Sequence, residues 1–121
     1  MSDRPNSVAE PVGVDDLSID DLQPLLAFYL DLAPQVVRTY RPYGWTVTEQ
    51  TLRDGPFSRQ AAGDELAMVL RDDTGAIWGH AFLSDVLSGT ASFGIGVHQS
   101  LLGKGLGRML MTALLEKAQR E

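Results

Sequence analysis

Apolar residues recur at helical spacing in the first part of the chain and predict an amphipathic helix that starts near Ile19. A proline is tolerated in the first turn of a helix but not in its interior. Because Pro24 follows closely, we expect the helix to be capped by Asp20 or Asp21. A cap at Ser18 would place the proline inside the helix. The apolar positions are Ile19, Leu22, Leu25, Leu26, Tyr29, Leu30 and Ala33.

Two shorter helical segments are predicted before the sheet begins. Pro34 can open the first of them, and Pro42 with Gly44 closes it. Thr46 and Glu49 have the spacing of a capping box for the second segment. A Gly-Pro pair then ends that segment after about two turns, and a loop is predicted to follow.

The period of the pattern then changes to that of β-strands. Residues 65–71 and 76–83 are apolar runs joined by the polar turn Asp-Asp-Thr-Gly, and they predict a β-hairpin. A third strand is predicted over residues 90–97, where Gly94 and Gly96 indicate a bulge or the close approach of another group. A final helix has a broad apolar face that predicts packing against the sheet. Its polar stripe consists of Arg108, Thr112, Glu116 and Gln119.

Composition restricts the class of protein. The chain has 121 residues, 44% of them hydrophobic and 21% charged, which is typical of one globular domain. We expect that domain over residues 11–121, after a mobile tail over residues 1–10. Neither a membrane span nor a secretory signal is recognisable, so we expect a cytoplasmic protein without a membrane partner. The absence of cysteine and the presence of only two histidines predict no metal site.

The net charge of −6 is unevenly distributed along the chain. Residues 1–75 carry 6 basic and 13 acidic side chains, whereas residues 76–121 carry 4 and 3. This acidic excess argues against a nucleic-acid partner, which would need clustered Lys and Arg. It is compatible with an anionic cofactor bound by the second part of the chain and a cationic substrate bound by the first.

The turn between the third strand and the final helix has the clearest chemistry. The first amides of a helix lack partners inside the helix and attract anions. Gly103, Gly105 and Gly107 alternate there, and glycines remove the Cβ atoms that would keep a phosphate away from those amides. Lys104 and Arg108 can neutralise further charge. The turn therefore predicts a phosphate or diphosphate site, although neither the Rossmann spacing nor the P-loop spacing is present.

Residues 102–107, LGKGLG, resemble the acetyl-CoA-binding motif of the GNAT superfamily of N-acetyltransferases. That motif is Gln or Arg, two residues, Gly, one residue, then Gly or Ala. Residues 95–98 and 108–110 are similar to the neighbours of the motif, and residues 76–83 resemble the family's third strand. The resemblance implies an α/β (α+β) fold with a mixed, mainly antiparallel sheet flanked by helices.

The same resemblance implies acetyl-CoA as cosubstrate and acetyl transfer to a primary amine of a small molecule or peptide. A backbone N–H of the strand at residues 90–97, exposed by a bulge, would polarise the acetyl oxygen. That strand has no Asp or Glu to act as base, so no catalytic side chain is assigned. The residues implied in cofactor binding are Ile95, Val97, Leu102, Gly103, Lys104, Gly105, Leu106, Gly107 and Arg108.

Two departures from the family pattern leave alternatives open. Leu102 stands at the Gln or Arg position, which predicts a modest loss of affinity. The family continues beyond the final helix, so we expect the C-terminal half of the fold to be absent, with the chain being either a fragment or completed by a second copy in a homodimer. The alternatives to an N-acetyltransferase are a non-catalytic acyl-CoA-binding module and, last, a nucleotide-binding domain of another class.

The histidines and the tyrosine-rich segment also allow two interpretations. His80 lies between two aromatic residues of a predicted strand, which favours a structural histidine over a catalytic base, and His98 is predicted to lie in a loop. Tyr40, Tyr43 and Trp45 lie between the predicted helices and the sheet, and we expect these aromatic residues to pack in the core. The resemblance implies a substrate pocket there as the alternative.

Overall fold

In the computed structural model, which describes residues 13–120, four strands form one antiparallel sheet in the order β1-β2-β3-β4. The strands are β1 Gly13–Asp16, β2 Glu65–Arg71, β3 Ile77–Ser84 and β4 Ser92–Val97. The predicted hairpin and third strand are confirmed, and β1 is an additional edge strand that pairs with β2. The predicted tail, residues 1–10, lies outside the described residues.

Five α-helices flank the sheet within the described residues. They are α1 Leu22–Leu30, α2 Pro34–Val37, α3 Glu49–Leu52, α4 Ser58–Ala61 and α5 Leu106–Arg120. Helices α1 to α4 belong to one face of the sheet, and α5 packs on the other, as its apolar stripe predicts. Within residues 13–120, no helix is long and apolar enough to cross a membrane.

The start of α1 combines both caps that the sequence offers. Ser18 caps a 3₁₀ turn, Ile19–Asp21, in which the Ser18 hydroxyl accepts from the backbone and the Asp21 carboxylate accepts from the amide of Ser18. The α-helix begins one residue later at Leu22, with Asp21 at the cap position but without a side-chain cap bond. The predicted cap position at Asp21 is confirmed for α1, and Ser18 caps the 3₁₀ turn before it, which separates that cap from the proline.

The second short segment differs from its prediction at both ends. The capping box is formed by Thr48 with Thr51, not by Thr46 with Glu49. The helix does not end at the Gly-Pro pair, because a π-helical turn at Arg53–Phe57 contains the proline and leads directly into α4. The wider turn tolerates a residue without an N–H and buries Pro56 and Phe57.

Alternate strand residues face two separate hydrophobic clusters. Ala67 and Val69 of β2 point to the cluster under α1, whereas Met68 and Leu70 point to the cluster under α5. Helix α5 lies close to β3, because a Cβ built on Gly79 would lie 2.8 Å from Leu110 Cδ1. This glycine allows the close approach of α5 to the sheet.

Candidate functional site

The turn that precedes α5 has open space in front of its glycines. Gly103 and Gly105 have φ values of 81° and 75°, in the left-handed region that favours glycine. A Cβ built on either would meet nothing within 4 Å, and one on Gly107 would only touch Val97 Cγ2 at 3.8 Å. Two of the three glycines are therefore required by the backbone, and all three leave room for a ligand.

The amides of residues 103–108 donate no backbone hydrogen bond to any described residue. The first such bond runs from the Met109 amide to the Gly105 carbonyl, at 3.2 Å. These amides meet at the start of a 15-residue helix, where the helix dipole is positive. Lys104 and Arg108 lie exposed beside them. The corner thus offers unpaired donors, two cations and empty space, which is what a phosphate or diphosphate group requires.

A cleft of about 540 Å³ extends from this turn along the exposed side of α5. Gly105 and Arg108 line the cleft near the turn, and Thr112 and Glu116 line it further along the helix. Val14 of β1 closes its opposite wall. The corner therefore has room beside it for a ligand larger than one phosphate.

The outer edge of β4 presents unpaired backbone groups to the same corner. The His98 amide donates to the Trp78 carbonyl at 2.8 Å, and β3 pairs with β4 in a regular register up to this point. Because backbone groups alternate in direction along a strand, those of Ile95 and Val97 face away from β3. Their side chains pack in the cluster under α5, so only their backbone is available at the edge.

The bulge expected in β4 is not present. The register of Ser92–Val97 shifts nowhere, and the irregularity of the sheet lies instead between Leu70 and Arg71. The strand glycines serve the close approach of two rings, because a Cβ on Gly94 would overlap Phe82 and one on Gly96 would overlap Tyr40. The edge donors are exposed by ordinary alternation along an edge strand and need no bulge.

Three tyrosines and a histidine form a buried aromatic cluster over β3 and β4. The Tyr29 hydroxyl lies 2.6 Å from the Tyr40 hydroxyl and 2.7 Å from His80 Nδ1. The Tyr43 ring stacks on His80 with 6.4 Å between centroids. Burial raises the pKa of Tyr29, Tyr40 and Tyr43 above the ordinary value of a tyrosine. These phenols are therefore protonated hydrogen-bonding groups at neutral pH.

Only one of the two ring nitrogens of His80 forms a hydrogen bond within the described residues. Its Nδ1 is bonded to Tyr29, whereas Nε2 is buried without a partner among residues 13–120. Burial lowers the pKa of His80 to about 3, so the imidazole is neutral at physiological pH. The placement of Tyr40 and Tyr43 against the core is confirmed, but Trp45 is 66% exposed and lies under the Arg41 guanidinium. A small cavity lined by residues of this cluster and by Trp45 opens beside it.

The sequence did not single out Glu65, which is a buried carboxylate near the cluster. Its Oε1 accepts from Arg59 Nε at 3.2 Å, and its Oε2 has no partner in the described part of the chain. Burial raises the pKa of Glu65, while Arg59 opposes that shift. The only available signal was one acidic residue at the start of an apolar strand run. In residues 13–120, no group of His, Cys, Asp and Glu is arranged to hold a metal ion.

The structure brings the predicted cofactor residues together at one end of β4. The edge of Ile95 and Val97 leads through a 3₁₀ turn, Gln99–Leu101, to residues 102–108. Leu102 is 62% exposed, so its side chain adds no polar group to the corner. Leu106 packs in the cluster under α5 and offers only its amide.

Comparisons with known proteins agree on one fold. The model of the acetyltransferase (GNAT) family matches residues 30–121. The protein yncA of Salmonella typhimurium, solved with its cofactor acetyl-CoA, is 24% identical with a TM-score of 0.68, and the match covers 88% of this chain and 62% of that one. A phosphinothricin acetyltransferase of Sinorhizobium meliloti in complex with AcCoA is 21% identical with a TM-score of 0.67, over 86% and 57%.

A third solved structure is a spermidine N-acetyltransferase chimera from Vibrio cholerae and hSSAT, which is 20% identical with a TM-score of 0.60, over 87% and 63%. At these identities the likeness to solved structures establishes the fold alone. The chain spans about three fifths of the length of these structures. Among curated proteins, none matches the chain.

Proposed function

Because this chain belongs to the acetyltransferase (GNAT) family, we propose that it binds acetyl-CoA along β4 and residues 102–108 and transfers the acetyl group to a primary amine of a small molecule or peptide. Acetyl-CoA is present in two of the similar structures, and a third acts on spermidine by its name. The acidic excess of residues 1–75 suits a cationic acceptor. We place this activity in the cytoplasm, with no nucleic-acid or membrane partner.

One observation carries the proposal: the amides of residues 103–108 donate no backbone hydrogen bond to a described residue, and a Cβ on Gly103 or Gly105 would meet nothing within 4 Å. A buried or exposed amide that finds no partner in the protein is available to a ligand oxygen. Gly103 and Gly105 let a diphosphate approach these donors, and Lys104 and Arg108 balance its charge. The residues present therefore fit the diphosphate of coenzyme A.

The edge of β4 completes the proposed binding mode. The backbone groups of Ile95 and Val97 face outward and can pair with the amide groups of the pantetheine arm. When bound, acetyl-CoA supplies an acyl donor in the form of a thioester. An outward N–H of β4 would donate to the carbonyl oxygen of the acetyl group, where negative charge would develop as the amine attacked and before coenzyme A left as the thiol.

Strand β4 offers no carboxylate that could accept a proton from the amine, because Ser92–Val97 contains neither Asp nor Glu. We therefore assign no catalytic side chain. The same observation favours a second candidate function, a non-catalytic acyl-CoA-binding module. Release of free thiol from acetyl-CoA in the presence of a panel of amines separates the two, because only the enzyme releases thiol in an amine-dependent manner.

Cofactor binding is tested by calorimetric titration with acetyl-CoA, coenzyme A and ATP. We expect the two coenzyme A ligands to bind and Gly105→Asp to abolish their binding, since it adds a carboxylate where the diphosphate lies. Gly63→Asp is the matched control, because Gly63 has a similar φ of 76° and equally open surroundings. Equal affinity in the two variants would remove the site assignment, and binding of ATP in preference to coenzyme A would favour another class of nucleotide site.

The open outer edge of β4 also supports a homodimer, in which a second copy of the chain is the partner. Among the described strands, β4 pairs only with β3, which leaves its other edge open. An open edge strand can pair with a second copy of the chain, and such pairing would compete with the pantetheine arm for the same backbone groups. Sedimentation across a range of concentrations tests this proposal, and a monomer throughout would refute it.

A further inference from the structure

The segment between β4 and the glycine turn is tied to the distant end of α1. His98 follows β4 directly and is buried, with 7% of its surface exposed. Its Nε2 lies 2.8 Å from Asp31 Oδ2, across 67 positions of the sequence. Asp31 is the residue at which α1 ends.

The hydrogen bonds of His98 fix the direction of this contact. The Ser100 amide donates to His98 Nδ1 at 3.2 Å, and the Ser100 hydroxyl lies 2.6 Å from the same atom. An amide can only donate, so Nδ1 is the acceptor and Nε2 carries the proton. Gln99 Nε2 also lies 3.1 Å from His98 Nε2, but with this tautomer both atoms are donors, so the contact is not a hydrogen bond and the Gln99 amide donates to the Asp31 carbonyl. His98 therefore donates from Nε2 to the Asp31 carboxylate and orders the 3₁₀ turn Gln99–Leu101 through Nδ1.

Asp31 occupies a position where an acidic residue is otherwise unfavourable. A carboxylate at the C-terminal end of a helix opposes the helix dipole. The donor from His98 offsets this cost, since hydrogen bonds to charged groups are the stronger ones. The contact with His98 therefore compensates for the unfavourable position of Asp31 next to the C-terminal end of α1.

Gln99 reinforces the same connection with two more hydrogen bonds. Its Nε2 donates to the Asp31 carbonyl at 3.0 Å, and its Oε1 accepts from the Ala33 amide at 2.9 Å. The primary amide therefore spans both sides of the link between α1 and α2. Leu32, in the middle of that link, lines the small cavity beside the aromatic cluster.

We propose that His98 is a positioning residue, which holds the glycine turn of residues 103–108 in its ligand-ready conformation by anchoring the preceding segment to Asp31. The turn itself supplies no such restraint, because its own amides make no backbone hydrogen bonds to described residues. The Met109 amide and the buried side chain of Leu101 are the nearest fixed points on either side. The role as a cofactor turn rests on the proposed function, whereas the restraint on the turn does not.

The test uses the 121-residue chain, coenzyme A as the probe, and two readouts. Calorimetry measures the dissociation constant of coenzyme A, and ¹⁵N relaxation measures the order parameters of the amides of residues 103–108 without ligand. We expect His98→Ala to weaken coenzyme A binding about tenfold, which corresponds to losing one charge-assisted hydrogen bond, and to lower those order parameters. His98→Gln retains a terminal N–H donor and is expected to restore most of both.

A second set of variants separates positioning from general stability. Asp31→Ala is expected to weaken binding to a similar degree, and the double variant His98→Ala with Asp31→Ala no further, because both remove the same contact. Asp73→Ala is the charge-matched control, since Asp73 lies in the exposed hairpin turn, and it leaves both readouts unchanged. Unchanged order parameters in His98→Ala, or no recovery in His98→Gln, overturn the inference. If the unaltered chain binds no coenzyme A, the proposed function fails, and the order parameters alone decide whether His98 restrains the turn.

Discussion

The ring of Tyr40 occupies the space where a side chain at position 96 would begin, so that a Cβ on Gly96 would overlap it. Tyr40 packs against the core under α1, and its hydroxyl lies 2.6 Å from that of Tyr29. The ring therefore has little freedom to move aside. The lack of a side chain at position 96 of β4 and the position of the Tyr40 ring above it therefore depend on each other.

Gly96→Ala is expected to lower the free energy of unfolding by about 1–3 kcal/mol, because it overpacks this contact. Urea unfolding measures the change. Gly13→Ala is the control, since Gly13 is also a strand residue and a Cβ there meets nothing within 4 Å. A double variant that adds Tyr40→Leu should recover part of the loss, and strictly additive effects would show that the ring is not the obstacle.

Leu102→Arg is expected to strengthen coenzyme A binding about two- to fivefold, the effect of one exposed charge pair. The exposed Leu102 stands where the family motif has Gln or Arg, and a guanidinium there can reach a phosphate oxygen. Titration at low and high salt provides the measurement, because a gain from charge shrinks as salt rises. Leu87→Arg adds the same charge at another exposed leucine, and an equal gain there would indicate a non-specific effect.

Asp72→Asn is expected to destabilise the fold by about 2–4 kcal/mol, because the carboxylate accepts several buried hydrogen bonds. It receives the Thr74 hydroxyl at 2.6 Å, the Ala76 amide at 3.1 Å and the Trp78 indole N–H at 2.8 Å. Burial raises the pKa of Asp72, but these donors lower it by more. Asp73→Asn alters the next residue of the same exposed turn, and thermal melting that finds both variants equally stable would contradict this account.

His80 is expected to make stability fall as the pH drops below about 6.5. Burial lowers the pKa of His80 to about 3, so between these pH values the unfolded chain binds a proton that the folded chain does not. The stabilisation is complete above the unfolded pKa and decreases towards pH 3. His80→Phe should therefore reduce the slope of unfolding free energy against pH by up to about 1.4 kcal/mol per pH unit.

The pH experiment compares urea unfolding of both proteins at pH 4.5, 5.5 and 7.5. Parallel slopes would show that His80 titrates in the folded state as it does in the unfolded one. The imidazole resonances of His80 give an independent reading, since a pKa of about 3 predicts no titration above pH 4.5.

The strands and the last helix could be predicted because their patterns are local and uninterrupted. Residues 65–71 became β2 without a change of boundary, and the stripe of Arg108 and Thr112 lies on the exposed side of α5. The glycine turn could be found for the same reason, since its backbone requirement shows in the residue type. The family model matches residues 30–121, which include this turn.

The remaining errors come from choices that only tertiary packing decides. Thr46 and Thr48 both precede a helical segment, and each has a polar residue three positions later. Thr51 completes the capping box with Thr48 as Glu49 would have completed one with Thr46. Pro56 follows a glycine and was therefore predicted to end the helix. In the structure it is buried in a π-helical turn, and the chain continues as a helix. The contact of His98 with Asp31 joins residues far apart in sequence and has no local signature.

Gly79 lies away from the glycine turn but contacts the helix that carries the proposed phosphate donors. A methyl group at position 79 would lie 2.8 Å from Leu110 Cδ1, so either this buried side chain or α5 itself would have to shift. A shift of α5 would move its first amides with respect to the edge of β4. A residue that lies outside the glycine turn can thus alter the place from which the proposed phosphate donors point.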